Sequence, residues 1–226
     1  MDFPMDKVQM ILLFLPPFII SLSFHEYAHA WVAERFGDST ARYMGRMTVD
    51  PMAHISWFGT IIFPALSILM GSHLLFGWAN PVPVDSRNFK KPFQHMALVA
   101  AAGPASNILL AIVFAFIMSM LKSYVPGSIF QAMEVQGMMG SGLKMLDMAV
   151  QLNLFLAFFN LLPLPPLDGA RIIQGLVKPA TALKIDEYSN QAQILLIILL
   201  FTGVLRYLAL PVTILYALIY QVFNII

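Results

Sequence analysis

His25-Glu26-Tyr27-Ala28-His29 holds the densest chemistry in the sequence. Two histidines four residues apart share one face of a helix, so both imidazoles can bind one metal ion. Glu26 sits about 100° further round at 3.6 residues per turn. From there it can reach a water on the metal without being a ligand itself. The plain alternative is two core histidines bonded to backbone, with Glu26 neutralised by a partner. It needs a separate reason for each of three ionisable groups inside one apolar helix, where such groups are costly. Haem ligation by both histidines fits poorly, because trans-axial ligands cannot come from one face of a single helix. Tetrahedral zinc can use adjacent ligands.

A catalytic zinc takes three protein ligands and keeps one open position. The chain has no cysteine, so the third ligand must be His, Asp or Glu. His54, His73 and His95 lie in or beside loops, and Glu34 is nearer the end of the same helix. Asp168 is the best candidate. It follows Asn160-Leu-Leu-Pro163-Leu-Pro165-Pro166-Leu and precedes Gly169. The prolines break a helix and free backbone groups that must be satisfied within protein or a wet cavity. An unwound segment of this kind can deliver a carboxylate to depth. A turn-forming Asp-Gly pair at a membrane surface is the alternative.

The elements that must position these groups are membrane helices. Of 226 residues, 59% are hydrophobic and only 11% are charged, and the mean hydropathy is +0.76. A globular domain carries about 25% charged residues. This composition predicts an all-α polytopic membrane protein and excludes a disordered or fibrous chain. A net charge of +1 gives no basic footprint for nucleic acid. The missing cysteines exclude a disulfide framework and a cysteine nucleophile.

A span needs roughly 20 apolar residues. Residues 10–32, 96–121 and 146–167 qualify. The run 192–226 suits one kinked helix or two short ones, divided near Arg206 and Pro211. The stretch 58–76 is apolar but broken by Pro64. That makes about five to six apolar segments. The N-terminus lacks the positive region of a signal peptide and reads as a retained span. The loops 34–55 and 77–94 suit short interfacial strands, and the Met- and Gly-rich loop 122–145 reads as a mobile connector. No connection is long enough for a soluble domain, so residues 1–226 form one integral-membrane domain. Its motif-bearing core is about 8–178, with C-terminal helices at about 186–226.

H-E-x-x-H near the end of one span and N-x-x-P-x-P-P-x-D-G near the end of a later one resemble the site-2 protease family of intramembrane zinc metalloproteases. Between them, Gly103-Pro104-Ala105-Ser106-Asn107 is similar to that family's G-P-x-x-N motif. Asn80-Pro81-Val82-Pro83-Val84 resembles its extended loop segment. The resemblance implies one Zn²⁺ per chain on His25, His29 and Asp168, with Glu26 as catalytic base. It implies that Asn160 holds substrate or the oxyanion, and that Asn107 does likewise or braces the helices. It further implies a compact form without PDZ or CBS domain, in a cell membrane. The expected partners are the lipid bilayer and a membrane-protein substrate with a transmembrane helix.

Ligand depth constrains the topology. Residue 25 lies roughly 22 Å along its span, and Asp168 follows the end of another, so the two spans must run parallel to share an ion. One intervening segment must then fail to cross, and 58–76 is the obvious one, as a re-entrant hairpin. Charge gives the same answer independently. With 58–76 re-entrant, Arg35, Arg42, Arg46, Arg87, Lys90, Lys91, Arg171, Lys178 and Lys184 share one face, opposed by Lys7, Lys122 and Lys144. The positive-inside rule makes the first face cytoplasmic and puts the site in the cytosolic half of the bilayer. An ion or metal transporter is the rival reading, since broken helices and buried carboxylates mark transporters too. Transport gives no reason for a glutamate beside two i,i+4 histidines. A non-proteolytic relative that binds membrane proteins is the second rival, and the intact Glu26 speaks against it.

Overall fold

The computed structural model describes residues 5–70, 77–124 and 138–225. Long helix α1, Met5–Arg35, runs through Pro16 and Pro17, which remove two intrahelical donors. A short helix α2, Thr40–Tyr43, and a 3₁₀ turn at Pro51–Ala53 follow. A π-helical turn at Trp57–Ile62 then leads into α3, Phe63–Leu69. Two long helices come next: α4, Pro92–Tyr124, with Pro104 inside it, and α5, Met138–Asn160. After the proline turn come α6, Asp168–Leu176, α7, Pro179–Glu187, α8, Ser189–Thr202, and α9, Ala209–Val222. Among the described residues, four helices are long and apolar enough to cross a membrane: 7–35, 92–123, 141–160 and 204–222.

Helices α1, α4 and α5 pack on one another, α6 lies against α4, and α9 lies mainly against α5. One apolar cluster joins Ala111, Ala115 and Met118 of α4 to Val150 and Leu154 of α5 and Ile219 of α9. Another joins Phe14, Phe18 and Leu22 of α1 to Ile68 of α3 and Leu156 of α5. A polar clamp adds to the first, for the hydroxyls of Tyr216 and Tyr220 both donate to Asp147 Oδ1, at 2.7 and 2.5 Å.

The C-terminal apolar run is two helices. They part at Gly203, whose φ of +72° is a left-handed conformation that favours glycine. Pro211 falls in the first turn of α9, where its missing N–H costs nothing. The expected interfacial strands require a correction. No strand occurs among the described residues. Residues 77–85 are non-helical, but their polar groups bond to side chains and loop carbonyls rather than to a neighbouring ladder. Asn80 donates its N–H to His54 O at 2.8 Å and its amide to Ile55 O at 2.9 Å. Arg46 Nη2 donates to Asn80 O at 2.7 Å.

The apolar stretch 58–76 is helical as far as Leu69, and residues 71–76, His73 among them, lie outside the described residues. Its two flanks meet. Trp78 N–H donates to Gly59 O at 3.1 Å, and Thr60 Oγ1 donates to Trp78 O at 2.8 Å. A Cβ on Gly59 would fall 2.5 Å from the Trp78 indole nitrogen, so only glycine allows this approach. Further out, Asp38 ties the same two arms together. Its carboxylate accepts from Thr40 Oγ1 at 2.5 Å, Asp85 N at 2.8 Å and Asn88 Nδ2 at 2.8 Å. Burial raises the Asp38 pKa, but these hydrogen bonds outweigh it and hold the group below its ordinary value. Most of the connector 122–145 lies outside the described residues, and its last part, from Met138, begins α5.

Candidate metal centre

Helix α1 presents His25 and His29 to α4 on one face, both buried. Their rings meet edge to face, with centroids 4.6 Å apart. Gly103 on α4 makes room for them, because a Cβ there would come within 2.5 Å of both rings. Asp168 arrives from the other side as the first residue of α6. Gly169 is required beside it. A Cβ at that position would collide with the carbonyls of Leu161 and Leu162, so any larger residue would lift the start of α6 off the end of α5.

The result is a triangle of three side chains. His25 Nε2 and His29 Nε2 are 3.1 Å apart. Asp168 Oδ2 lies 3.2 Å from His25 Nε2, and Oδ1 lies 3.4 Å from His29 Nε2. The other ring nitrogens are occupied. His29 Nδ1 lies 2.7 Å from Val99 O, and a carbonyl only accepts, so Nδ1 carries the hydrogen. His25 Nδ1 lies 2.6 Å from Asn107 Oδ1.

These contacts test whether the residues suit a zinc ion. With hydrogen on Nδ1, each imidazole turns an Nε2 lone pair toward the Asp168 carboxylate. Only acceptors then converge, and Asp168 Oδ2 is buried without a hydrogen-bond donor. Acceptors crowded in this way repel unless a cation sits among them. Tetrahedral zinc with bonds of about 2.0–2.1 Å holds neighbouring ligand atoms about 3.3 Å apart. The observed edges bracket that value. The donor set, two imidazoles and a carboxylate, is one that zinc accepts, and among the described residues His25, His29 and Asp168 form the one such group of three.

Glu26 points elsewhere on the same helix. Its Oε2 accepts the backbone N–H of Val82 at 2.8 Å, so the segment 80–84 lies against this carboxylate. Asn107 is fully buried, and its Nδ2 donates to Asn153 Oδ1 at 2.9 Å. Asn160 ends α5, and its Nδ2 donates to Leu156 O at 2.9 Å; a primary amide has a second N–H besides. His54, His95 and Glu34 stand apart from the triangle. His54 Nε2 donates to Thr48 O at 2.8 Å, His95 stacks on Phe36, and Glu34 pairs with Arg42 at 3.1 Å. Sequence reasoning weighed ionisable groups, and the family resemblance added the amides Asn107 and Asn160; Asn153 was passed over, although an amide in an apolar helix is also a signal. The Val82 and Val99 backbone contacts leave no mark in residue types.

Comparison with known proteins bears on this site. The family described as Peptidase family M50 matches residues 13–202. A Bacillus subtilis (strain 168) protein named "Putative zinc metalloprotease YwhC" is 41% identical over 194 residues, 85% of this chain and 82% of that protein. Two relatives with the same description are more distant. Rip2 of Mycolicibacterium smegmatis is 25% identical over 90% of this chain and 72% of its own length. MJ0611 of Methanocaldococcus jannaschii is 29% identical over 70% of each chain. No solved structure matches the chain.

Proposed function

The chain belongs to peptidase family M50 and is a zinc metalloprotease, and on that premise we propose that it cuts peptide bonds in or near the transmembrane segments of other membrane proteins. The observation that carries this reading is a complete His25–His29–Asp168 triangle built between helices apolar enough to cross a bilayer.

His25 and His29 would hold one zinc ion through their Nε2 atoms, and Asp168 would hold it through its carboxylate. Zinc, when bound, supplies a Lewis acid that polarises a peptide carbonyl and makes water more acidic. Glu26 is the base. Its carboxylate takes a proton from the attacking water and passes it to the nitrogen of the leaving amine. The Val82 N–H holds Oε2 and so fixes the direction in which the carboxylate works. The second N–H of Asn160 is a donor for the developing oxyanion. Among the described residues the segment 80–84 has no strand partner, and it suits an unwound substrate that adds to it by main-chain hydrogen bonds.

Depth follows from the two arms that Asp38 joins. Residues 38 and 85 are directly bonded, so the chain leaves and returns at one place. This supports a segment 58–76 that enters the membrane without crossing it. Nine Lys and Arg then fall on the cytoplasmic face of a cell membrane, with the site in the cytosolic half.

The test is Glu26→Gln. It is expected to keep zinc and fold while losing cleavage of a membrane substrate, because the amide cannot take a proton. Cleavage at near the wild-type rate would remove Glu26 as base. Topology has its own check, since the chain has no cysteine to interfere. Ser39→Cys and Ser86→Cys are each expected to react with an impermeant thiol reagent from the same face. Labelling from opposite faces would show that the segment crosses.

A further inference from the structure

Two carboxamides lie fully buried among apolar helices, Asn107 on α4 and Asn153 on α5. Neither is a metal ligand. They form one line of contacts across three helices. Asn153 Nδ2 is 2.8 Å from Ala149 O, Asn153 Oδ1 is 2.9 Å from Asn107 Nδ2, and Asn107 Oδ1 is 2.6 Å from His25 Nδ1.

The oxygen and nitrogen of an amide are alike in shape, so their assignment must come from their partners. This line has one fixed end. Ala149 O is a carbonyl and can only accept. The Asn153 atom facing it is therefore the NH₂ group, and the atom facing Asn107 is the carbonyl oxygen. Asn107 must then turn its own NH₂ toward Asn153. The Ser21 carbonyl, 3.4 Å from the same Asn107 nitrogen, requires the same orientation independently. That leaves the Asn107 oxygen facing His25, and Nδ1 of His25 must carry the hydrogen. Its Nε2 lone pair is then turned toward Asp168, as a metal ligand needs.

The two histidines are thus fixed by different means. His29 is set directly by the Val99 carbonyl. His25 is set by an amide that is kept from turning over by Asn153 at 2.9 Å and, at a longer 3.4 Å, by the Ser21 carbonyl. Turned over, Asn107 would donate to His25 Nδ1 and favour the tautomer with hydrogen on Nε2, where the metal must bind. We propose that Asn153 is a positioning residue of the metal centre: by fixing the orientation of the Asn107 amide it holds His25 in its ligand tautomer. The role reaches the site through Asn107 and requires no contact with metal or substrate.

The inference rests on the metal site proposed above. Its test is binding of cobalt(II), and of zinc in competition, to the metal-stripped full-length protein in lipid nanodiscs, with the visible spectrum of the cobalt complex recorded. Asn107→Leu is expected to weaken binding about 10- to 100-fold, as loss of a ligand's hydrogen-bond partner does. Asn153→Leu is expected to weaken it about 10-fold, near the lower end of that range. The double variant is expected to bind no more weakly than Asn107→Leu alone, because the second residue acts through the first. Asn153→Ala removes the same amide but leaves a cavity. A metal loss equal to that of the leucine variant, with a different thermal midpoint, assigns the effect to the amide rather than to packing, and the alanine variant stands in if the leucine variant does not fold. Wild-type cobalt affinity and spectrum in folded Asn153→Leu or Asn153→Ala would overturn the inference, as would losses that multiply in the double variant. Failure of the wild-type protein to bind cobalt or zinc is a different result, and it would remove the metal site itself.

Discussion

The two working faces of helix α1 are held in different ways. On one, His25 and His29 are fixed by α4 and by the start of α6, through buried side chains, a backbone carbonyl and the gap left by Gly103. On the other, Glu26 is held by one backbone N–H of a non-helical segment. That segment is itself held by loop groups, Arg46, His54 O and Asp38. Ligand geometry is therefore a product of helix packing. The position of Glu26, the proposed base, depends instead on a loop assembly seated on α1 through Val82 against Ala30. Metal binding and proton transfer should accordingly fail separately.

The largest expected effect is on the helical face. His25→Ala, His29→Ala and Asp168→Ala should each lose most of the roughly one zinc per chain that a site of three ligands holds. Metal analysis of purified protein decides this, and full retention in Asp168→Ala would return the choice of third ligand to Glu34 or His54. A smaller effect is expected on the loop face. Val82→Pro deletes the N–H that Glu26 accepts and should lower the cleavage rate on the order of 10-fold. Zinc content should stay at the wild-type level, and Val82→Ala, which keeps the N–H, should cleave normally. Loss of zinc in Val82→Pro would break the division between the two faces.

The smallest effect belongs to Asp38, furthest from the chemistry. Asp38→Asn puts an NH₂ group where several donors converge and should cost about 1–3 kcal/mol of stability. The pH dependence has a definite sign. The folded-state pKa of Asp38 is lowered, so its contribution is complete above the ordinary carboxylate pKa and is lost as pH falls through the folded value. Thermal midpoints recorded from neutral to acid pH should converge for wild type and Asp38→Asn at the acid end. A constant gap would show that the charge of Asp38 is not what ties the arms.

The helical face was legible in the sequence because its signals are spacings. His25 and His29 are one helical turn apart, and Asp168 follows three closely spaced prolines, Pro163, Pro165 and Pro166, which disfavour a continued helix. Three of the long helices were legible from apolar runs, whereas 204–222 lay within a run, 192–226, that suited either one kinked helix or two short ones. The loop face was not, because its contacts use backbone atoms. Nothing about valine at 82 announces that its N–H meets Glu26. The expectation of strands at 77–94 came from alternating Pro and Val, which favour extended backbone but do not supply a partner strand. The break in the last apolar run begins at Gly203 and includes Arg206, in a 3₁₀ turn at Val204–Leu208, whereas Pro211 lies in the first turn of the next helix, where a proline is harmless.

The carboxylate of Asp38 also closes a ring. Residues 39–84 begin and end at one hydrogen-bonded point, while α1 and α4 keep their spacing by packing directly on each other. Insertions inside such a closed loop cost only loop-closure entropy, about 0.6 kcal/mol for each doubling of length. Ile68 on Phe14 and Phe18, and Val82 on Ala30, anchor this segment to α1, so its length can change between those anchors while the helices beneath keep their register.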